Sequence, residues 1–333
     1  MSFLKTSAFL TFSLFLLSPS DFAGLDEEWQ LVNVTRFSGP EYLTYDELVK
    51  LSSDRYAFED KVQRILNTPF ISNEAYFRGA RPRKLTDPRL GHFLRVAQWN
   101  IEKSMKMKEA IWAFNDEEKF KDLIDTDRCK PDSEEYQTIM NQRKMLAQAD
   151  ILILQEMDAG MKRSEYRDAV KELAEALNMN YVYGTEQLEI DPVNLGIEKF
   201  EDETGKGNKE MQDLFEVDPA KYKGLFGSAV LSRYPILDVK FFQLRNQPYD
   251  WYEQEKIPLS VLEKARRRGA KTVFLEKLFR EMKIGGRVYL QADLYVPQIP
   301  GKRLSVINVH LEIKSKPKGR EIQIAETLSH AIA

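Results

Sequence analysis

The sequence predicts an α/β protein, and three stretches carry that prediction. SVINVHLEI, residues 305–313, alternates strictly, with Val306, Asn308, His310 and Glu312 on one face and Ile307, Val309, Leu311 and Ile313 on the other, as in a β-strand. DILILQEM, residues 150–157, is an unbroken aliphatic run of the kind that forms a strand buried on both faces. RSEYRDAVKELAEALN, residues 163–178, is an amphipathic helix that leads into a further strand, NYVYGT. In SVINVHLEI the wholly aliphatic face is expected in the core. The other face starts apolar and turns polar, so it is expected to open onto something wet, either plain solvent or a site.

The remaining elements fall in order along the chain of 333 residues. Residues 1–20, MSFLKTSAFLTFSLFLLSPS, have the layout of a secretory signal: Lys5, an apolar run from Ala8 to Leu17, then small residues ending at Ser20. That implies export, to a periplasm or beyond, and the run is too short for a comfortable bilayer span, so no stable membrane span is expected in the mature form. Residues 21–92 read as a helical N-terminal extension and linker, with Leu48, Val49, Val62, Ile65 and Leu66 at helical spacing and a basic, proline-containing end, RGARPRKLTDPRLGH. The main domain is expected over 93–333. It holds the strand LRVAQWNI, with Ala97, Trp99 and Ile101 on one face and Gln98 and Asn100 on the other. The strands DILILQEM and NYVYGT follow, then a polar insertion at 191–224. GSAVLSRYPI, VKFFQL, RVYLQADLYV and RLSVINVHLE are further strands, PLSVLEKARRRGAKTVFLEKLFREM is helical, and a last helix begins near Lys318.

Composition excludes some functions. Apolar content of 43% with 30% charged residues is that of an ordinary globular protein, and a net charge of −3 offers no global attraction to nucleic acid or anionic membranes. A single cysteine, Cys129, excludes an intramolecular disulfide.

Several strands end on polar residues: Asn100, the pair Gln155 and Glu156, and His310, one of three histidines. Ligands gather where strand ends converge, because the loops there leave space the core does not fill. A carboxylate ending an aliphatic strand has a desolvation cost unless it is paired or binds a cation. For Glu156 both readings stand, a salt bridge to a neighbour or a hard-metal ligand. Oxygen ligands with few histidines suit magnesium, manganese or calcium better than zinc.

RVAQWNI, ILILQEMDAGMKR, GSAVLSRYPI and VINVHLE, in that order, resemble the successive motifs of the endonuclease/exonuclease/phosphatase superfamily, which includes deoxyribonuclease I, abasic-site endonucleases, neutral sphingomyelinases and inositol-phosphate phosphatases. The resemblance implies a four-layered α/β sandwich of two mostly antiparallel sheets flanked by helices. It also implies an exported, divalent-metal-dependent phosphoesterase acting on nucleic acid, a phospholipid head group or a small phosphoester. By position, Glu156 would be the direct Mg2+ ligand (Mn2+ or Ca2+ in its place), and Asn100 would contact the metal-bound water or the phosphate. Arg163 would lie near the phosphate, and His310 would hydrogen-bond a non-bridging oxygen. Arg320 and Gln323 match a helix motif of structural character. Glu312→Gln is expected to affect metal binding less than Glu156→Gln.

Two further motifs of that family, GDFN and SDH, do not occur before Ala333, and His330, inside a helix, does not replace the base they carry. The 93–333 domain is therefore expected to lack its C-terminal part and this chain alone to be inactive. The alternative to a phosphoesterase is an incomplete, non-catalytic relative that keeps the fold or binds phosphate-bearing ligands. Three other signals are weaker. ETGKGNK lacks the spacing of a phosphate loop, ARRRGAK reads as a salt-bridged solvated helix, and Asn33-Val34-Thr35 is a glycosylation sequon relevant only in a eukaryotic secretory pathway. The export reading is checked by N-terminal sequencing of the mature protein, which is expected to begin near residue 21. A mature chain beginning at Met1 counts against it.

Overall fold

A computed structural model describes residues 11–16, 33–82, 86–89, 91–190, 216–257 and 281–332. ETGKGNK, ARRRGAK and most of the expected signal lie outside the described residues. The strands are β1 (Thr11–Leu16), β2 (Phe37–Ser38), β3 (Phe70–Ser72), β4 (Thr86–Asp87), β5 (Gly91–Asn100), β6 (Ile151–Ala159), β7 (Asn180–Ile190), β8 (Leu225–Ser232), β9 (Ile236–Gln243), β10 (Met282–Gly285), β11 (Val288–Tyr295) and β12 (Arg303–Val309). The helices are α1 (Tyr45–Ser53), α2 (Glu59–Asn67), α3 (Glu74–Phe77), α4 (Met107–Asn115), α5 (Glu117–Lys121), α6 (Glu134–Ala147), α7 (Ala169–Leu177), α8 (Glu253–Lys256) and α9 (Pro317–Ile332). None of the described helices is long and apolar enough to cross a membrane.

Two sheets pack face to face. The larger has nine described strands in the order β1-β5-β6-β8-β7-β3-β2, with β10 also on β7 and β4 on β5. The smaller runs β12-β11-β9. Among the described strands only β5 and β6 pair in parallel. Thr11–Leu16, the middle of the apolar run, lies antiparallel to Phe93–Gln98 as an edge strand. The stretch expected to be a helical extension is more closely integrated than that reading implied. Besides α1 and α2 it supplies β2 and β3, and β3 joins the larger sheet against β7.

Local chemistry accounts for the helix ends. Thr44 and Glu47 close a reciprocal capping box at α1. Asp168 Oδ1 accepts from Lys171 N–H at the start of α7, and Asn178, at φ 49°, ends that helix in the left-handed conformation asparagine tolerates. The apolar faces of α1, α2, α4 and α7 cover one side of the larger sheet, with Leu152, Leu154, Tyr181 and Tyr183 beneath them. A second core lies between the sheets and includes Leu94, Val96, Ile151, Val182, Val230, Leu290, Ala292 and Val306. The aliphatic run of β6 is thus buried on both faces, alternate residues serving one core and then the other.

β8 runs between two bulged neighbours. Pairing with β6 passes from Leu154–Ala229 to Met157–Gly227, so Gln155 and Glu156 together face Ser228. Pairing with β7 passes from Thr185–Gly227 to Gln187–Phe226, leaving Glu186 as the extra residue. An extra residue bends a strand and re-aims its side chains. The chains come so close there that a Cβ on Gly227 would sit 2.1 Å from the Gly184 carbonyl oxygen.

β12 presents the opposite face to the one expected. Val306, Asn308 and Glu312 are buried and point between the sheets, whereas Ile313 on the aliphatic side is 78% exposed. Hydrogen bonding is the physical reason. Asn308 Nδ2 donates to the Leu154 and Ala229 carbonyls at 2.9 and 3.0 Å, and Oδ1 accepts from Gln155 Nε2 at 2.6 Å. Those carbonyls belong to the residues paired just before the β6 bulge, and Asn308 reaches them from the other sheet. On the outer side of the small sheet, α9 packs His330 against Phe242 and Tyr289, with ring centroids 4.6 and 5.9 Å apart. Gln323 Oε1 accepts from Glu312 N–H and its Nε2 donates to the Asn246 carbonyl, while Arg320 Nη1 donates to the Ser315 carbonyl.

Asn308→Ala removes one hydrogen-bond partner from each of two carbonyls and from the Gln155 amide. At about 1–3 kcal/mol for each such buried group, the expected loss is about 3 kcal/mol or more. Val306→Ala, two residues away on the same face, is expected to lose about 2 kcal/mol through apolar area alone. Urea unfolding of the two variants measures the difference, and an equal or smaller loss for Asn308→Ala overturns the assignment.

Candidate active site

Elements from both sheets meet at one mouth. Asn100 closes β5, Glu156 sits in the β6 bulge, and His310 follows directly on β12. Asn100 Nδ2 donates to Glu156 Oε1 at 3.0 Å, and His310 Nε2 lies 3.8 Å from the same oxygen. Glu156 has φ 60°, a left-handed conformation that costs a non-glycine residue about 1–2 kcal/mol. The bulge therefore holds this carboxylate in a conformation its residue type does not favour.

Behind His310 lies a buried charged cluster. Arg287 Nη1 is 2.7 Å from His310 Nδ1 and donates to Glu186 Oε2 at 2.9 Å, and Arg287 Nε donates to Glu312 Oε2 at 3.1 Å. Ser228 Oγ donates to Glu186 Oε1, and Trp251 Nε1 donates to Glu312 Oε2 at 2.9 Å. A guanidinium has donors only, so His310 Nδ1 acts as the acceptor in this arrangement and the ring proton sits on Nε2, the nitrogen turned toward Glu156. Glu186 Oε2 lies 3.5 Å from His310 Nδ1. Burial pushes the Glu186 carboxyl up, but His310, Arg287 and Ser228 outweigh it and hold it down at about 2. Glu312, 2% exposed, is a buried anchor for Arg287 and Trp251.

Arg163 is brought near the mouth but turned away from it. Its guanidinium forks onto Asp158 at 2.7 and 2.9 Å and reaches Glu189 Oε1 at 2.8 Å, so Nε and both terminal nitrogens are engaged. The Phe226 ring, 5.9 Å from the guanidinium carbon, also has its centroid 6.5 Å from that of His310. Arg163 is thus committed to a buried ion pair rather than open to a phosphate. Full burial pushes the Asp158 carboxyl up to about 6 against the pull of Arg163. From Glu189 the charges continue to alternate through Lys283, Glu281 and Lys103, with Lys283 Nζ 3.4 Å from Glu189 and 2.7 Å from Glu281.

Glu186 and Arg287 were not anticipated from the sequence. The signal for the first is the polar run TEQLE inside a strand that begins NYVYGT, since buried charges demand partners. The signal for the second is an arginine directly after Gly285 and Gly286 at the entry to an apolar strand.

Among the described residues no group of three or more histidine, cysteine, aspartate or glutamate side chains is arranged to hold a metal ion. What the mouth offers is the Glu156 carboxylate, its side chain 21% exposed, beside the Asn100 amide. Asn100 turns Nδ2 toward the carboxylate, while Oδ1 accepts from Glu102 N–H at 3.0 Å. An amide nitrogen is not a ligand for a hard cation, so ligation by Asn100 requires its amide to flip. A cation that keeps most of its water, as Mg2+ does, fits one exposed carboxylate of this kind.

No protein-family model matches the chain, and no curated protein matches it in sequence. Among solved structures it is similar to an endonuclease/exonuclease/phosphatase from Beutenbergia cavernae DSM 12333, with 16% identity and a TM-score of 0.27, over 55% of this chain and 34% of that one. The chain therefore spans about a third of the length of that structure.

Glu186→Gln keeps the shape of the side chain and removes its charge. The carboxyl titrates near 2 in the folded protein against an ordinary value of 4.5, so its stabilising contribution is complete above about pH 4.5 and fades as the pH falls toward 2. The variant is expected to lose about 2 kcal/mol more at pH 6 than at pH 3. Urea unfolding at the two pH values checks this, and equal losses contradict the ion-paired assignment.

Proposed function

We propose that the chain carries the active-site mouth of a divalent-metal-dependent phosphoesterase. The observation that supports this reading most directly is the meeting of Asn100, Glu156 and His310, from both sheets, around one carboxylate oxygen. In this reading Glu156 holds the cation, which neutralises the phosphate and the leaving oxygen. His310 Nε2–H donates to a non-bridging phosphate oxygen and stabilises charge as it develops. Arg287 and Glu186 keep the ring oriented and fix which nitrogen carries the proton. Asn100 positions the carboxylate or the phosphate. The substrate is a phosphodiester or phosphomonoester, and export, read from the layout of residues 1–20, would remove the edge strand Thr11–Leu16 from the larger sheet.

A second reading, a non-catalytic relative that binds phosphate-bearing ligands, draws support from two observations. Among the described residues no group of three or more ligating side chains forms around Glu156, and Arg163 is locked into Asp158 and Glu189. The two readings separate in one set of measurements.

Glu156→Gln is expected to weaken Mn2+ binding at least tenfold by calorimetry, with the surface change Glu118→Gln as the control. His310→Ala is expected to lower whatever Mg2+-dependent hydrolysis of bis(4-nitrophenyl) phosphate the chain supports by about a hundred- to a thousandfold. Cation binding without turnover in the unaltered chain favours the second reading. Unchanged Mn2+ affinity in Glu156→Gln removes the basis of the first.

A further inference from the structure

The chain leaves Asn100 through a turn that its residue types do not favour. Glu102, Lys103 and Ser104 have φ of 51°, 55° and 55°, three left-handed residues in succession and none of them glycine. Each costs about 1–2 kcal/mol. Such a turn persists only where its surroundings over-determine it. Glu102 N–H donates to Asn100 Oδ1 at 3.0 Å. Lys103 pairs with Glu281 at the end of the alternating row of charges. Ser104, 1% exposed, turns inward onto β6.

Ser104 Oγ accepts from Asp158 N–H at 3.1 Å and donates to the Glu156 carbonyl at 3.3 Å. The parallel pairing of β5 with β6 ends at Asn100 and Gln155, with one more bond from Ile101 N–H to the Gln155 carbonyl. Beyond that point β5 supplies no partner, and one hydroxyl serves the backbone on both sides of Met157. It does so at the residue whose left-handed φ aims the carboxylate.

We infer that Ser104 is a positioning residue: its hydroxyl holds the β6 backbone at Glu156 and so sets where the candidate cation-binding carboxylate points. This rests on the reading of Glu156 as the cation ligand. The left-handed turn exists to deliver that hydroxyl, and the Lys103–Glu281 pair keeps it delivered. Groups that orient a metal ligand from behind typically change affinity by about ten- to a hundredfold when removed.

Two variants of the full chain test the assignment, with Mn2+ alone as the probe. Ser104→Ala removes both hydrogen bonds and keeps the left-handed cost. Ser104→Gly removes the same bonds and relieves that cost, so it is expected to melt at a higher temperature than Ser104→Ala. Both are expected to bind Mn2+ about ten- to a hundredfold more weakly by calorimetry. Both are also expected to exchange the Asp158 amide hydrogen faster. Affinity that follows the hydroxyl while melting temperature differs between the variants supports positioning over a merely structural role. Native Mn2+ affinity in either folded variant overturns the inference. Glu156→Gln in the same series separates the two levels. If it binds Mn2+ normally, the reading of Glu156 fails and carries this inference with it. If it loses binding while the Ser104 variants do not, only the positioning role is overturned.

Discussion

The arrangement depends on how the backbone is satisfied where β6 bulges. An extra residue in a strand costs ladder hydrogen bonds, and inside a protein those groups need other partners. Asn308 supplies them from the opposite sheet, with two donors on Leu154 and Ala229 and an acceptor for Gln155. One side chain therefore pins the sheets together and makes the bulge tolerable. The bulge in turn releases Glu156 from the ordinary alternation of β6 and aims it at the mouth.

The space between the sheets changes character along its length. At the end near Val306 and Ala292 it is an apolar core. Toward His310 it holds Glu186, Arg287 and Glu312, all nearly free of solvent. Two carboxylates and one guanidinium leave an excess of negative charge there, and the only basic ring in contact with the cluster is His310. The Arg287 contact at Nδ1 leaves Nε2 as the nitrogen that carries the ring proton.

Much of this was legible in the sequence, for reasons that also mark its limits. Asn100, Glu156 and His310 stood out because each ends a run whose period is unmistakable, and the structure brings all three together. The inward face of β12 was misjudged because apolar residues were assumed to face the core, whereas here the neighbouring sheet needed amide donors more than methyl groups. Glu186 was hidden because it is the extra residue of a bulge in β7, and a bulge breaks the alternation by which faces are assigned. The partners of Arg163 were out of reach for another reason. Asp158 is only a few residues away, but Glu189 arrives from a different strand, and pairings across strands leave no trace in a single sequence.

The polar inner face of β12 also determines how that strand can be aligned. A slip of one residue against β11 would turn Ile307 and Val309 inward and leave the Leu154 and Ala229 carbonyls facing methyl groups. A slip of two would keep the faces but put His310 in the place of Asn308, a ring that cannot give two donors and an acceptor to the same three groups. An apolar strand would tolerate either error at modest cost, since one aliphatic residue replaces another. Here the count of donors and acceptors admits a single alignment, so the pairing of the small sheet is selected by hydrogen-bond stoichiometry as well as by shape.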